Sequence, residues 1–285
     1  MLQISDIPSL RAWTREQRAA GRAIGFVPTM GALHDGHLAL VDEARKRAGR
    51  VVMSVFVNPL QFGATEDLAK YPRDLERDST LADRRGVDLL FAPTVAAMYP
   101  EGAETRVSSG PTSSYWEGAV RPGHFTGVLT VVAKLFHLVQ PDVAVFGQKD
   151  IQQFTLVRKL VKDLDFPVEL VVVPTVREPD GLALSSRNQF LTPGQRKDAA
   201  LISAGLRAAH QAWKKGERDV NALERLVKVA LARAEAPIRV DYIATVEPER
   251  LTPAGTAGAG TILCVAVRVG TTRLLDNMIH GQGVP

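Results

Sequence analysis

The sequence predicts an α/β fold, a Rossmann-like doubly wound parallel sheet with a smaller C-terminal α+β domain. Short apolar stretches alternate with amphipathic helices through the first part of the chain, and those stretches are apolar almost throughout. Strands of that kind are buried on both faces, as in a parallel sheet covered by helices on each side. The rhythm changes after Thr175, where a segment rich in Gly, Ser, Arg and Asn gives way to helices and then to strands. The domain boundary is therefore expected between residues 1–175 and 176–285.

A helix over Ile7–Ala20 precedes the first strand, Ala23–Val27. Further strands are expected at Val51–Val57, Val87–Ala92, Val143–Phe146 and Val168–Val173, with helices at His37–Arg47, Arg73–Arg85, Thr126–Leu138 and Ile151–Leu164. The stripe Val128, Val131, Val132 and Leu135 is a core face at helical spacing. Thr192-Pro193 reads as an N-cap with proline at the first helical position, opening a helix over Gly194–Lys215. A second helix follows at Val220–Arg233, then strands at Arg239–Val246, Ile262–Val269 and Arg273–Met278. Thr252–Gly260 is expected to be an exposed connection.

At 285 residues, 45% hydrophobic and 23% charged, the chain has the composition of a folded globular protein. The first residues, Met1-Leu2-Gln3-Ile4-Ser5-Asp6, lack the basic and apolar regions of a secretory signal, and no apolar run approaches the ~20 residues of a membrane span. The single cysteine, Cys264, lies in an apolar run and forms no intramolecular disulfide. A cytoplasmic protein fits these features. The net charge of +4 is spread over helix faces (Arg45, Lys46, Arg47, Lys214, Lys215) and mixed with acids, which favours small anions over nucleic acid as partners.

The chemistry is expected first at Pro28–His37 (P-T-M-G-A-L-H-D-G-H), directly after an apolar strand. His34 and His37, three apart, share one side of a first helical turn that also offers free N–H groups and the positive end of the helix dipole. That arrangement suits a nucleotide's phosphates. The plainer reading is a helix start capped by Asp35, with two exposed histidines.

Ligands of open α/β sheets bind outside the carboxyl ends of the strands, where the unusual polar segments of this chain fall. They are Asn58-Pro59-Leu60-Gln61-Phe62, Gly147-Gln148-Lys149-Asp150, Arg177-Glu178 and Ser185-Ser186-Arg187-Asn188. Lys149 supplies a point charge, and Ser185–Arg187 supplies hydroxyls, amides and a guanidinium fork. Either Gln152 or Gln153 is placed to hydrogen-bond a polar substrate. Zinc at His34 and His37 lacks a third ligand; magnesium is the better metal, with Asp78 as a candidate ligand set against a reading as a solvated helix acid.

Taken together, P-T-M-G-A-L-H-D-G-H, F-V-N-P-L-Q-F, Y-P-R-D, R-P-G-H-F-T-G-V, G-Q-K-D-I-Q-Q and G-L-A-L-S-S-R-N resemble the pantoate–β-alanine ligase family of the HxGH nucleotidyltransferase superfamily, in order and spacing from Val27 to Asn188. The resemblance implies that ATP and pantoate form pantoyl adenylate and pyrophosphate, and that β-alanine then gives pantothenate and AMP. It implies ATP contacts at Met30, Gly31, Ala32, Leu33, His34, Asp35, Gly36 and His37. Further ATP contacts are implied at Gly147, Gln148, Lys149, Asp150, Val176, Leu184, Ser185, Ser186 and Arg187. His34, His37, Lys149 and Arg187 would act on the phosphates as electrostatic catalysts. Gln61 and Gln153 would hold pantoate, with Asn58 assisting. The resemblance also implies Mg²⁺ as cofactor, a homodimer, a mobile cover over Gly63–Tyr71 and a C-terminal domain covering the site. Two residues depart from the family pattern: Asp35 stands for glutamate and Leu184 for methionine. A nucleotidylyltransferase acting on a phosphorylated acceptor is the alternative, but amides at Gln61 and Gln153 suit a neutral hydroxy-carboxylate better. An RNA-binding relative would need a basic and aromatic cluster, which 6% aromatic content does not provide.

Overall fold

The computed structural model describes residues 1–63 and 68–282. In chain order the elements begin with β1 (Leu2–Ile4), α1 (Ile7–Ala19), β2 (Ile24–Thr29), α2 (Asp35–Arg47), β3 (Arg50–Val55), α3 (Leu75–Arg84), β4 (Leu89–Phe91) and α4 (Val95–Met98). They continue with α5 (Glu117–Val120), α6 (His124–Val139), β5 (Val143–Gly147), α7 (Ile151–Asp163) and β6 (Glu169–Val173). Last come α8 (Pro193–Lys214), α9 (Val220–Leu231), β7 (Ile238–Val246), β8 (Ile262–Val269) and β9 (Thr272–Ile279). Among the described residues no helix is long and apolar enough to cross a membrane.

The chain forms two compact units. The first comprises Met1–Ser113, Arg121–Gly147 and Leu156–Val173; the second gathers Ser114–Val120 and Gln148–Thr155 with the chain from Pro174 onward. Both short segments precede the cut at 175/176 expected from sequence.

The first unit holds a six-stranded sheet in the order β1-β4-β3-β2-β5-β6, parallel throughout. The chain winds outward from β2 to one edge and then, from β5, to the other. The direction reverses between β2 and β5, where doubly wound sheets open their ligand crevice. Val27, Val41, Met53, Leu90 and Val145 meet in one apolar cluster on this sheet. Burying each such side chain stabilises the unit by about 1.5–3 kcal/mol. The edge strand β1 is absent from the sequence reading because it is three residues long and only Ile4 is buried.

The second unit is built on an antiparallel sheet, β7-β8-β9, against which α8 and α9 pack through Ile202, Leu206, Leu223, Val227, Leu263, Val265 and Val267. Thr192 caps α8 as expected, and Gln195 returns the bond to the Thr192 amide at 3.1 Å. Thr252–Gly260 is not simply an exposed connection. Ala254 and Ala257 are buried, and Trp213 Nε1 donates to the Ala257 carbonyl at 2.7 Å. Cys264 is free and buried, and burial pushes its thiol up to about 12. His210 and His280 are fully buried and stack at 5.8 Å with Trp213 beside them. Neither ring nitrogen of either histidine has a hydrogen-bond partner among the described residues.

Candidate active site

In the first unit, β2 runs out into a turn that only glycine can make. Gly31 has φ +83°, and a Cβ there would lie 2.8 Å from Asp78 Oδ2 and 2.9 Å from Val55 Cγ1. The turn is held by Asp78 on α3, whose Oδ2 accepts the Ala32 amide and whose Oδ1 accepts the Leu33 amide, each at 2.8 Å. Arg77 donates to the Leu33 carbonyl at 3.1 Å. Asp78 is 1% exposed, so it is not a solvated helix acid. Both of its oxygens are committed to the main chain, which leaves it unsuited to the metal role. Among the described residues no group of three His, Cys, Asp or Glu side chains gathers to hold an ion.

The helix start differs from the sequence reading in a way that bears on chemistry. His34, not Asp35, is the N-cap of α2, and Asp35 is the first helical residue. His34 Nδ1 accepts the Gly36 amide at 3.1 Å, and His37 Nδ1 accepts the His34 amide at 3.4 Å, a reciprocal box built from two imidazoles. Their rings lie 4.1 Å apart. A ring nitrogen that accepts from an amide carries no proton, which leaves Nε2 as the N–H-bearing nitrogen of each ring. The pair thus supplies two N–H donors at the positive end of a helix.

Gln61 joins this turn. Its Nε2 donates to Met30 Sδ at 3.0 Å, and its Oε1 accepts from Asn58 Nδ2 at 3.0 Å. Asn58 is 1% exposed and caps the short turn Pro59–Gln61. It also accepts the Tyr99 hydroxyl at 3.0 Å and donates to the Gly127 carbonyl at 3.0 Å. Burial pushes the Tyr99 phenol up to about 12, so it stays a neutral donor. Gly127 lets α6 reach this turn, since a Cβ there would run into the Leu60 carbonyl. His124 Nδ1 lies 2.8 Å from the Gln61 carbonyl, and Arg121 donates to the same oxygen at 3.2 Å. Tyr99, Arg121, His124 and Gly127 carried no role in the sequence reading. The R-P-G-H-F-T-G-V motif was the signal for all of them except Tyr99. Of the expected cover Gly63–Tyr71, residues 64–67 lie outside the described residues.

In the second unit, Gln148–Asp150 forms a 3-10 turn opening α7, with Lys149 Nζ 3.8 Å from Asp150 Oδ1. Gln152 is engaged within the fold: its Oε1 accepts the Glu117 amide at 3.1 Å and its Nε2 donates to the Tyr115 carbonyl at 3.0 Å. Gln153, partly exposed, is the better placed of the two for a ligand. Val176 and Leu184 face each other across a hairpin, with the Leu184 amide on the Val176 carbonyl at 3.0 Å. Beyond it, Ser185 Oγ accepts the Arg187 amide at 3.3 Å and caps the turn Ser186–Phe190.

Comparison with known proteins agrees along nearly the whole chain. The family model described as pantoate-beta-alanine ligase matches residues 3–279. The pantothenate synthetase of Thermus thermophilus is 54% identical over 98% of this chain and 99% of its own, and that of Heliobacterium modesticaldum is 50% identical over the same shares. The crystal structure of the Thermus thermophilus enzyme superposes with a TM-score of 0.93 over 98% of this chain and 99% of that one. The pantoate-beta-alanine ligase of Francisella tularensis, complexed with beta-gamma ATP and beta-alanine, is 33% identical and gives 0.82 over 99% of both chains. The chain belongs to the pantoate–β-alanine ligase family, enzymes that form an amide bond at the expense of ATP.

Proposed function

We propose that this ligase makes pantothenate in two steps through a pantoyl adenylate. A carboxylate oxygen of pantoate attacks the α-phosphorus of ATP and pyrophosphate leaves. The β-alanine amine then attacks the acyl carbon, and AMP leaves as the amine sheds its proton. The observation that carries the reading is the histidine box, whose Nδ1 atoms are held by amides so that both Nε2–H groups serve as donors. Preorganised donors at a helix N-terminus stabilise charge as it develops on transferring phosphates. The amide of Gln61, already on Met30, supports a pantoate site next to that turn.

The remaining assignments rest on the family resemblance. Lys149, Ser186 and Arg187 bind the ATP phosphates, Val176 and Leu184 the nucleoside, and Gln153 the pantoate. Mg²⁺ accompanying ATP would be held by the phosphates themselves, where it would offset their charge. Asp78 does not fit as its ligand, because both oxygens accept backbone amides. A homodimer also follows from the resemblance, and a cytoplasmic setting fits the composition.

The test is ATP–pyrophosphate exchange. Exchange is expected with pantoate alone, and AMP release only once β-alanine is added. Exchange without pantoate would overturn the ligase reading, and exchange that needs β-alanine would overturn the adenylate.

A further inference from the structure

Two consecutive buried residues of β9, Asp276 and Asn277, hold both second-unit segments assigned to ATP. Asn277 is spent entirely on the turn that carries Lys149. Its Nδ2 donates to the carbonyls of Gln148 and Lys149, each at 3.0 Å, and its Oδ1 accepts from Gln148 Nε2 at 3.2 Å. Asp276 is spent on the hairpin that leads to Arg187. It takes the Arg177 guanidinium in a fork, at 2.6 and 3.1 Å, and Arg177 reaches on to the Gly181 carbonyl at 3.2 Å. The far end of the hairpin is closed by Asn188, which donates to the Ala183 carbonyl and to Glu178, both at 3.1 Å.

We propose that Asn277 is a positioning residue for ATP, which together with Asp276 sets the spacing between Lys149 and the Ser185–Arg187 loop. An ammonium and a guanidinium can serve one triphosphate only if their backbones stand at a fixed separation. A single strand that bonds the main chain of one turn and forks onto the hairpin leading to the other provides it. Both residues are at most 4% exposed, so they act through the segments they hold. The proposal rests on the assignment of Lys149 and Arg187 to ATP.

The experiment is a double-mutant cycle between Asn277→Ala and Lys149→Ala, with KM measured for each substrate. Asn277→Ala is expected to raise KM for ATP about tenfold or more, as misplacement of a binding group does. KM for pantoate and β-alanine should stay within about twofold. In the Lys149→Ala background the same change should cost much less, because the positioned group is gone. Equal losses in both backgrounds, or a fall in kcat with KM for ATP unchanged, would overturn the positioning role. If Lys149→Ala leaves KM for ATP unchanged, the ATP assignment itself falls, and the proposal with it. If Lys149→Ala weakens ATP and Asn277→Ala does not, only the positioning role falls. Should circular dichroism find Asn277→Ala unfolded, Asn277→Asp carries the test, having the same shape without the two N–H donors.

Discussion

Asp78 holds the amide of Leu33 at 2.8 Å although 45 residues separate them in sequence. With its other oxygen on Ala32, this buried carboxylate fixes the turn from which both histidines project. Asp78→Asn turns one acceptor into an NH₂ group facing an N–H. The expected cost is about 1–3 kcal/mol of stability in urea unfolding, together with weaker ATP binding. A variant as stable as the parent would mean that the carboxylate is dispensable to the turn.

The histidine box separates two roles on one ring. His37→Ala should lower turnover by about 10²–10³-fold through loss of a donor to the phosphates, and lower stability by about 1 kcal/mol through loss of the cap. Asn restores an acceptor near Nδ1, and Gln a donor near Nε2. His37→Asn should therefore recover stability without turnover, and His37→Gln some turnover without stability. Thermal melts and initial rates on the three variants decide the matter; the reverse pattern would sink the assignment of tautomers.

Gly127 is the point at which α6 meets the Pro59–Gln61 turn. Gly127→Ala drives a methyl group into the Leu60 backbone, which cannot swing aside as a side chain would. The expected cost is about 1–3 kcal/mol, with a rise in KM for pantoate as Asn58 and Gln61 shift. An unchanged KM for pantoate would detach Gln61 from that substrate.

Stability should fall in mild acid through the second unit. Burial lowers the His280 pKa from 6.5 to about 4, and His210 and the Arg218 guanidinium act in the same direction; His210 is lowered as well, by burial and Lys214. The unfolded chain therefore takes up a proton below pH 6.5 that the folded chain refuses. Stability is lost as pH falls from about 6.5 toward 4 and levels off below. His280→Phe should flatten that part of the melting profile measured against pH. A profile as steep as the parent's would assign the acid sensitivity elsewhere.

The parallel sheet was legible because its strands are apolar on both faces, and β2 to β6 lie close to where that pattern puts them. The HxGH turn, Asn58 and Gln61 were legible as polar residues at the carboxyl ends of such strands. What escaped were partners that local patterning does not encode. Asp78 looks like any helix acid until the amides of Ala32 and Leu33 are brought to it by the fold. Asn277 sits in an ordinary strand, and its role appears only when β9 meets the turn at Gln148. The cap was misread because histidine seldom caps; Asp35 has the commoner cap chemistry, but the backbone turns one residue earlier, at His34.

The second unit is not a contiguous piece of the chain, and this limits how the protein can be cut. A fragment beginning at 176 would lack Glu117, which accepts from Arg273 at 2.6 Å. It would also lack Trp116, whose indole donates to the Leu251 carbonyl at 2.7 Å, and the turn that satisfies Asn277. Such a fragment would leave Arg273 with Asp241 alone and the Asn277 amide without its partners, so it should not survive as an autonomous module. Exchange of this unit between homologues has to carry three separate stretches of the gene, with 114–120 and 148–155 travelling alongside the C-terminal part.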